Sequence, residues 1–443
     1  MVFTSEARKI GRRNFLKAVG GTSALAALGT AAVVRGPRRG GPVRAALIGY
    51  GKQGKLLQAS IDPEVMELVA ICDIRPLANA DRGLTAGAAW YQDWRRMLQQ
   101  ERIEAVLIAT PLWTHSEIAI ACLEARKHVF CETAMAKDTT DCQQMLEAAK
   151  RNKRLLAIGY QDYYQPLYWA AYHNIMMPGL LGDVYSVEAA WHNYSSGRLE
   201  GDPGAATFDP RPWGYASADE LLNWRLFRRY SDGLMGEWGG RLVSLTNWFL
   251  DAVPTAVQAA GGIYSYKDGR DVDDHVYATL EYPNGRTATI SLIQSNGLEG
   301  GYTQFMGTRG TLVIGKDEAL LFAEEKGNPT KVETTKLNGA HPVLDTSASR
   351  SEEASNHSVL SRGGNGGEGS GMESYRQEIS AFCGSIRAGA PLRQSATGAF
   401  DVARICFAAD DAIQQGKRLS IEGKGPSNQS AAYRKADRWT HDA

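Results

Sequence analysis

The chain has 443 residues, 49 Lys+Arg balanced by 49 Asp+Glu, 43% hydrophobic and 22% charged residues. That length holds two domains with cores of their own, and the balanced charge argues against nucleic acid as a partner. The cysteines, Cys72, Cys122, Cys131, Cys142, Cys383 and Cys406, have no metal-like spacing and fall in apolar patterns, so they read as buried thiols with no zinc site.

The N-terminus reads as an address. Gly11-Arg12-Arg13-Asn14-Phe15-Leu16-Lys17 is a twin-arginine motif, followed by the weakly apolar Ala18–Val34 and then Arg35, Arg38 and Arg39. A run of Ala and Gly this short makes a poor permanent membrane span. Residues 1–40 are therefore expected to be a Tat-type export signal and linker, giving a periplasmic location without a stable membrane anchor; a disordered basic tail is the plain alternative.

From Val43 to residue 160, apolar runs alternate with helical patterns. Strands are predicted at Arg44–Ile48, Leu68–Cys72, Ala105–Ala109, His128–Cys131 and Leu155–Ile158, and helices at Lys52–Ile61, Trp94–Glu101, Ser116–Ala125 and Thr139–Asn152. Continuous apolar strands separated by helices predict a parallel sheet covered on both faces, with ligands at the carboxyl ends of its strands. The first strand ends in Gly49-Tyr50-Gly51-Lys52-Gln53-Gly54, a G-x-G-x-x-G turn into a helix. In such a turn the first glycine allows the bend, the second admits a pyrophosphate, and the third lets helix and strand approach. The freed N–H groups at the helix start suit an anion. Asp73 ends the next apolar run, where a carboxylate accepts both hydroxyls of an adenosine ribose. Asp73 favours NAD; Arg75 keeps NADP open. Thr110, Pro111, His115, Glu132, Thr133, Tyr160 and Gln161 follow the other strand ends.

Residues 161–423 read differently. Val184–Tyr194 alternates, with Tyr185, Val187, Ala189 and Trp191 on one face and Ser186, Glu188, Ala190 and His192 on the other. His275–Tyr282, Pro283-Asn284-Gly285 and Arg286–Gln294 form a hairpin pattern. Tyr302–Met306 and Thr311–Ile314 flank another turn. These predict a mainly antiparallel sheet with one face packed and one open. Ser217-Ala218-Asp219-Glu220 is a capping box, predicting a helix through Arg229. Leu234–Asp251 reads as a second helix with Trp238, Leu242, Leu245 and Phe249 as its apolar stripe. Ser351–Gly371, rich in Ser, Gly and Glu, predicts a mobile loop. Glu373–Ala388 and Gly398–Gln415 are amphipathic helices that close this domain or pack back on the first. Residues 424–443 read as a loosely ordered tail.

The pieces ALIGYGKQG, ICDIRP, IATPLWTH, HVFCETAMA, IGYQDYYQP, AAWHNY, LNWRLFRRYSDGLMGEWGG and YPNG together resemble the Gfo/Idh/MocA family, the glucose–fructose oxidoreductase and inositol dehydrogenase group, in its Tat-exported bacterial branch. The resemblance implies an α/β protein with an N-terminal Rossmann domain and a C-terminal α/β domain carrying an open-faced sheet. It also implies a bound NAD or NADP, a sugar-like substrate between the domains, and self-association into a homo-oligomer. Redox turnover, glycoside cleavage through transient oxidation, and cofactor binding without turnover all remain open. Two positions depart from the family pattern. Glu132-Thr133-Ala134 stands where Glu-Lys-Pro is usual, and Glu237 and Arg241 stand where an acid and a histidine are usual. Arg is always protonated and cannot be a general base. The reading assigns Thr133 to orient a substrate hydroxyl, His192 or Glu237 to exchange its proton, and Arg241 to grip a substrate carboxylate. The alternative for Arg241 is a plain i,i+4 pair with Glu237. Asn223, Trp224, Arg225 and Tyr160 are expected on the sugar. For His192 a satisfied structural histidine is the alternative, for His115 a helix-end packing role, and for Trp224 helix packing.

Overall fold

The computed structural model describes residues 40–85, 87–200, 208–298, 300–315, 318–323, 333–338, 344–345 and 368–421. The twin-arginine segment, most of the Ser/Gly-rich stretch and the 424–443 tail lie outside the described residues.

The first unit alternates strand and helix: β1 (Val43–Ile48), α1 (Lys52–Ser60), β2 (Met66–Cys72), β3 (Ala89–Tyr91), α2 (Trp94–Gln100), β4 (Ala105–Ile108), α3 (His115–Glu124), β5 (His128–Glu132), α4 (Thr139–Asn152) and β6 (Leu156–Gly159). The strands pair in the order β3-β2-β1-β4-β5-β6, all parallel. β1 and β4 are buried almost throughout, because helices cover both faces. The three-residue β3 was too short to show a period in the sequence, and it extends the predicted sheet by one strand.

After α5 (Pro166–Ala171), β7 (Val184–His192) enters the second sheet. α6 (Ala218–Leu222) and α7 (Gly240–Leu250) precede β8 (Ala256–Gly262), β9 (His275–Glu281), β10 (Thr287–Ile293), β11 (Gly301–Gly307), β12 (Gly310–Ile314), β13 (Glu318–Ala323), β14 (Glu333–Asn338) and β15 (Leu344–Asp345). α8 (Glu368–Ala388), α9 (Ala396–Gln415) and β16 (Leu419–Ser420) complete the described chain. Among the described residues the sheet order is β15-β14-β13-β12-β11-β7-β10-β9-β8-β16, antiparallel except for β7 beside β10. The predicted hairpin is present, with Glu281 opposite Thr287.

Three expectations are corrected here. The capping box forms, Ser217 accepting from the Glu220 N–H, but its helix ends at Leu222 and a 3-10 turn, Trp224–Leu226, follows. Asn223 ends the helix by bonding Leu199 on another segment. Leu234–Asp251 is not one uniform α-helix: Met235–Gly239 is a π-turn ahead of α7. Close packing fills this turn, since a Cβ on Gly236 would lie 2.4 Å from the Asp232 Cβ. Finally, α8 begins at Glu368, so the end of the predicted Ser/Gly-rich loop is helical.

α8 packs on the first sheet. Its Tyr375, Ile379, Phe382 and Cys383 join Leu47, Ile71, Leu107 and Phe130 in one buried cluster. α9 lies against α4, α7 and β8, joining the opposite face of the first sheet to the second in a single core. The carboxyl end of β6 therefore meets the start of α7, where a Cβ on Gly240 would lie 3.7 Å from the Tyr160 hydroxyl.

Candidate active site

The G-x-G-x-x-G turn is shaped by close approach. Gly49 has φ +93°, and a Cβ there would lie 2.6 Å from the Ala109 carbonyl. A Cβ on Gly54 would lie 2.0 Å from the Gly49 oxygen, whereas one on Gly51 would meet nothing within 4 Å. Gly51 therefore faces open space at the α1 N-terminus, as a pyrophosphate cradle requires. Asp73 at the end of β2 accepts from the Tyr50 N–H at 2.7 Å and pairs with Arg75 at 3.0 Å. Arg75 is thus held against the carboxylate that selects a free ribose. Lys52 is exposed at the first turn of α1, and Gln53 donates to Glu132 Oε1 at 2.8 Å. These residues fit a dinucleotide.

Three strand ends are tied together behind it. The His115 ring contacts the Thr110 and Ala134 carbonyls, each at 2.9 Å, clamping the loops after β4 and β5. Burial lowers its pKa, against the opposing pull of the two carbonyls. Thr114 bonds the Thr110 hydroxyl and the Pro111 carbonyl. Glu132 is buried and its pKa is pushed up to about 7 by burial, against the pull of Gln53, Arg225 and Arg241. The Thr133–Ala134 peptide is cis. Gln161 is buried beside Asp162.

Across the cleft, Glu237 is buried within the π-turn. Its Oε2 accepts from Arg225 Nε at 2.9 Å and its Oε1 from the Ser231 hydroxyl at 3.2 Å. Burial raises its pKa; Arg225 and Ser231 oppose that. Arg241 Nε and Nη2 donate to the two Asp162 oxygens at 2.8 and 2.6 Å. This bidentate pair joins α7 to the segment after β6. The π-turn explains why Glu237 and Arg241 do not pair: its wider turn breaks the i,i+4 stacking of an α-helix.

Several assigned roles are thereby corrected. Arg241 is spent on Asp162 rather than on a substrate carboxylate or on Glu237. The Thr133 hydroxyl is buried beside the Tyr160 phenol without a well-formed hydrogen bond. Asn223 has its amide filled by Leu199 and Asp219 and is a loop staple. His192 faces away from the cleft. Its neighbour Trp191 stacks on Trp238 at 4.3 Å, so the helix side of β7 belongs to Trp191 and period-two alternation turns His192 to the open face. There its ring contacts Leu298 O and Ser291 Oγ. Tyr160 is fully packed, with its backbone N–H on Glu378. Trp224 is partly buried beneath the Arg225 guanidinium, 4.2 Å from its ring centre.

The sequence reading missed Asp162, Ser231, Asp232, Tyr375 and Glu378. Glu378 Oε1 accepts from the Tyr160 N–H at 2.7 Å while its Oε2 is buried without a partner, and burial beside Glu132 raises its pKa. Its signal was present: an acid on the apolar stripe of α8, between Tyr375 and Ile379. Asp232 also has a buried, unpartnered oxygen, and burial together with Glu237 pushes its pKa up to about 8. Among the described residues no cluster of His, Cys, Asp and Glu could hold a metal.

Residues 43–160 match the model of an oxidoreductase family with an NAD-binding Rossmann fold, and residues 169–313 match the GFO/IDH/MocA C-terminal domain. Inositol 2-dehydrogenase of Salmonella typhimurium (strain LT2) is 31% identical over 160 residues, 35% of this chain and 47% of that protein. The chain spans about half the length of these inositol dehydrogenase relatives. Levoglucosan dehydrogenase of Pseudarthrobacter phenanthrenivorans is 26% identical over 327 residues, 67% of this chain and 80% of that protein. Alpha-N-acetylgalactosaminidase of Bacteroides fragilis is 29% identical over 159 residues, 34% of this chain and 37% of that protein. The same fold occurs in a levoglucosan dehydrogenase solved with NADH and L-sorbose: TM-score 0.68, 19% identity, 87% of this chain and all of that one.

Proposed function

Because the chain belongs to the Gfo/Idh/MocA oxidoreductase family and carries its NAD-binding Rossmann domain, we propose that it oxidises a hydroxyl-bearing ring carbon of a sugar or sugar derivative. Gly51 at the α1 N-terminus and Asp73 would hold NAD, which when bound would supply the hydride acceptor for the carbinol C–H. The chain must then remove the hydroxyl proton. The observation that carries this reading is Glu237, a buried carboxylate held by Arg225 and Ser231 opposite the strand ends. Its Oε1 shares only a hydroxyl donor, so it has lone-pair capacity for a substrate O–H. The Arg225 charge opposes the effect of burial on Glu237, and Glu237 accepts the proton. The Arg241–Asp162 pair fixes the helix that presents it. His115 fixes the two loops beneath the reacting centre.

The experiment is a scan of the purified, folded protein for bound nucleotide, followed by a panel of sugars with nicotinamide absorbance as the readout. Reduction of bound NAD by one sugar class supports the proposal; bound NAD with no response to any sugar overturns it. Release of an aglycone from a glycoside without net reduction points to the glycosidase reading, which the galactosaminidase relative favours. We further infer export through the twin-arginine segment, a periplasmic location and self-association through the open sheet face. That face carries the exposed Tyr277.

A further inference from the structure

Arg225 has capacity that proton transfer leaves unused. Its guanidinium lies over the Trp224 ring, and only its Nε edge is taken, by Glu237. Nη1 and Nη2 have no partner among the described residues, and the side chain is 53% exposed. Two nearby cations are spent. Arg241 is bidentate on Asp162, and Arg228 is held by Asp410 and Asp273. Arg225 is near enough to Glu132 and His115 for its charge to bear on both. A guanidinium pinned at Nε and stacked on an indole presents its Nη1/Nη2 edge in a fixed plane. That edge matches a carboxylate bidentately.

We propose that Arg225 is a specificity residue that receives the carboxylate of an acidic sugar, a uronic or aldonic acid, with Trp224 beneath the guanidinium and Glu237 fixing its plane. The proposal rests on the sugar-oxidation reading for the location of the site, but its claim concerns binding. It predicts that the cleft discriminates a sugar acid from its neutral parent, and that the discrimination resides in one side chain.

The test uses the full chain loaded with NAD. Binding of D-glucuronate, D-galacturonate and D-gluconate is compared with that of D-glucose and D-galactose by calorimetry, alongside nicotinamide reduction. The wild-type protein should bind at least one acid about 10- to 100-fold more tightly than its neutral parent. Arg225→Gln should erase that ratio, and Arg225→Lys should restore only part of it, because an ammonium lacks the planar edge. Glu237→Gln keeps the cation, so it should retain the preference for the acid even where turnover falls. Equal binding of acids and neutral parents by the wild-type protein, or an Arg225→Gln variant that keeps the ratio, overturns the proposal. Arg225-dependent binding without nicotinamide reduction upholds it while overturning the redox reading.

Discussion

On the Rossmann wall of the cleft, a Cβ on Gly54 would lie 2.0 Å from the Gly49 oxygen. The bend there is fixed by backbone approach between residues five apart. On the opposing wall, Glu237 is held by Arg225, 12 residues away, and Arg241 by Asp162, 79 residues away. The first wall is a local turn whose residues admit little substitution. The second is a set of ion pairs whose partners can be exchanged while the helix remains. That difference bears on how each wall tolerates substitution: the glycine turn is held by backbone approach, Arg241 by an exchangeable carboxylate. It also separates two kinds of failure, loss of the cofactor and loss of the proton acceptor.

The sharpest break in the comparison is Gly54→Ala. The added methyl cannot be accommodated without moving the Gly49 carbonyl, so the variant should lose bound nucleotide altogether and be destabilised by about 3 kcal/mol or more. Nucleotide content and thermal melting check this. Glu237→Gln should do the reverse, keeping nucleotide while lowering the sugar-dependent rate about 10²- to 10⁴-fold. In the wild-type protein the rate should fall on the acid side as Glu237 takes up its proton, at a pH above the ordinary carboxylate range because burial raises its pKa. The pH profile of single-turnover reduction reads this out.

Asp162→Asn leaves the Arg241 guanidinium partly buried without its counter-charge, and should cost about 3 kcal/mol. Arg241→Met alone should also destabilise, while the double variant should recover part of the loss, as a double-mutant cycle in urea will show. Asp232→Asn tests a group packed against the π-turn that carries Glu237. In the folded protein Asp232 titrates near about 8, above its value in the unfolded chain. The stability it contributes is complete below the unfolded value and lost as pH rises through about 8. The asparagine cannot ionise, so relative to wild type it should gain about 3–4 kcal/mol between pH 5 and pH 8, measured by melting at both. The smallest effect belongs to His192→Ala. With the ring on the open face of β7, the rate should stay within about two-fold of wild type.

The parallel sheet, the mainly antiparallel sheet and the glycine turn were legible in the sequence alone. These follow from period, from turn chemistry and from spacings within one βαβ unit, and all of that is local along the chain. The tertiary structure alone decided what each polar side chain at the cleft does. A π-turn at Met235–Gly239 rotated Glu237 away from Arg241. The stacking of Trp191 on Trp238 chose the face of β7 and sent His192 to the other side. A return of α8 to the first sheet set Glu378 beneath Tyr160, a separation of 218 residues. Hydrogen bonds and ion pairs are short-ranged, so the partner of a polar group is whichever element packing brings within reach. No spacing in the sequence encodes that distance.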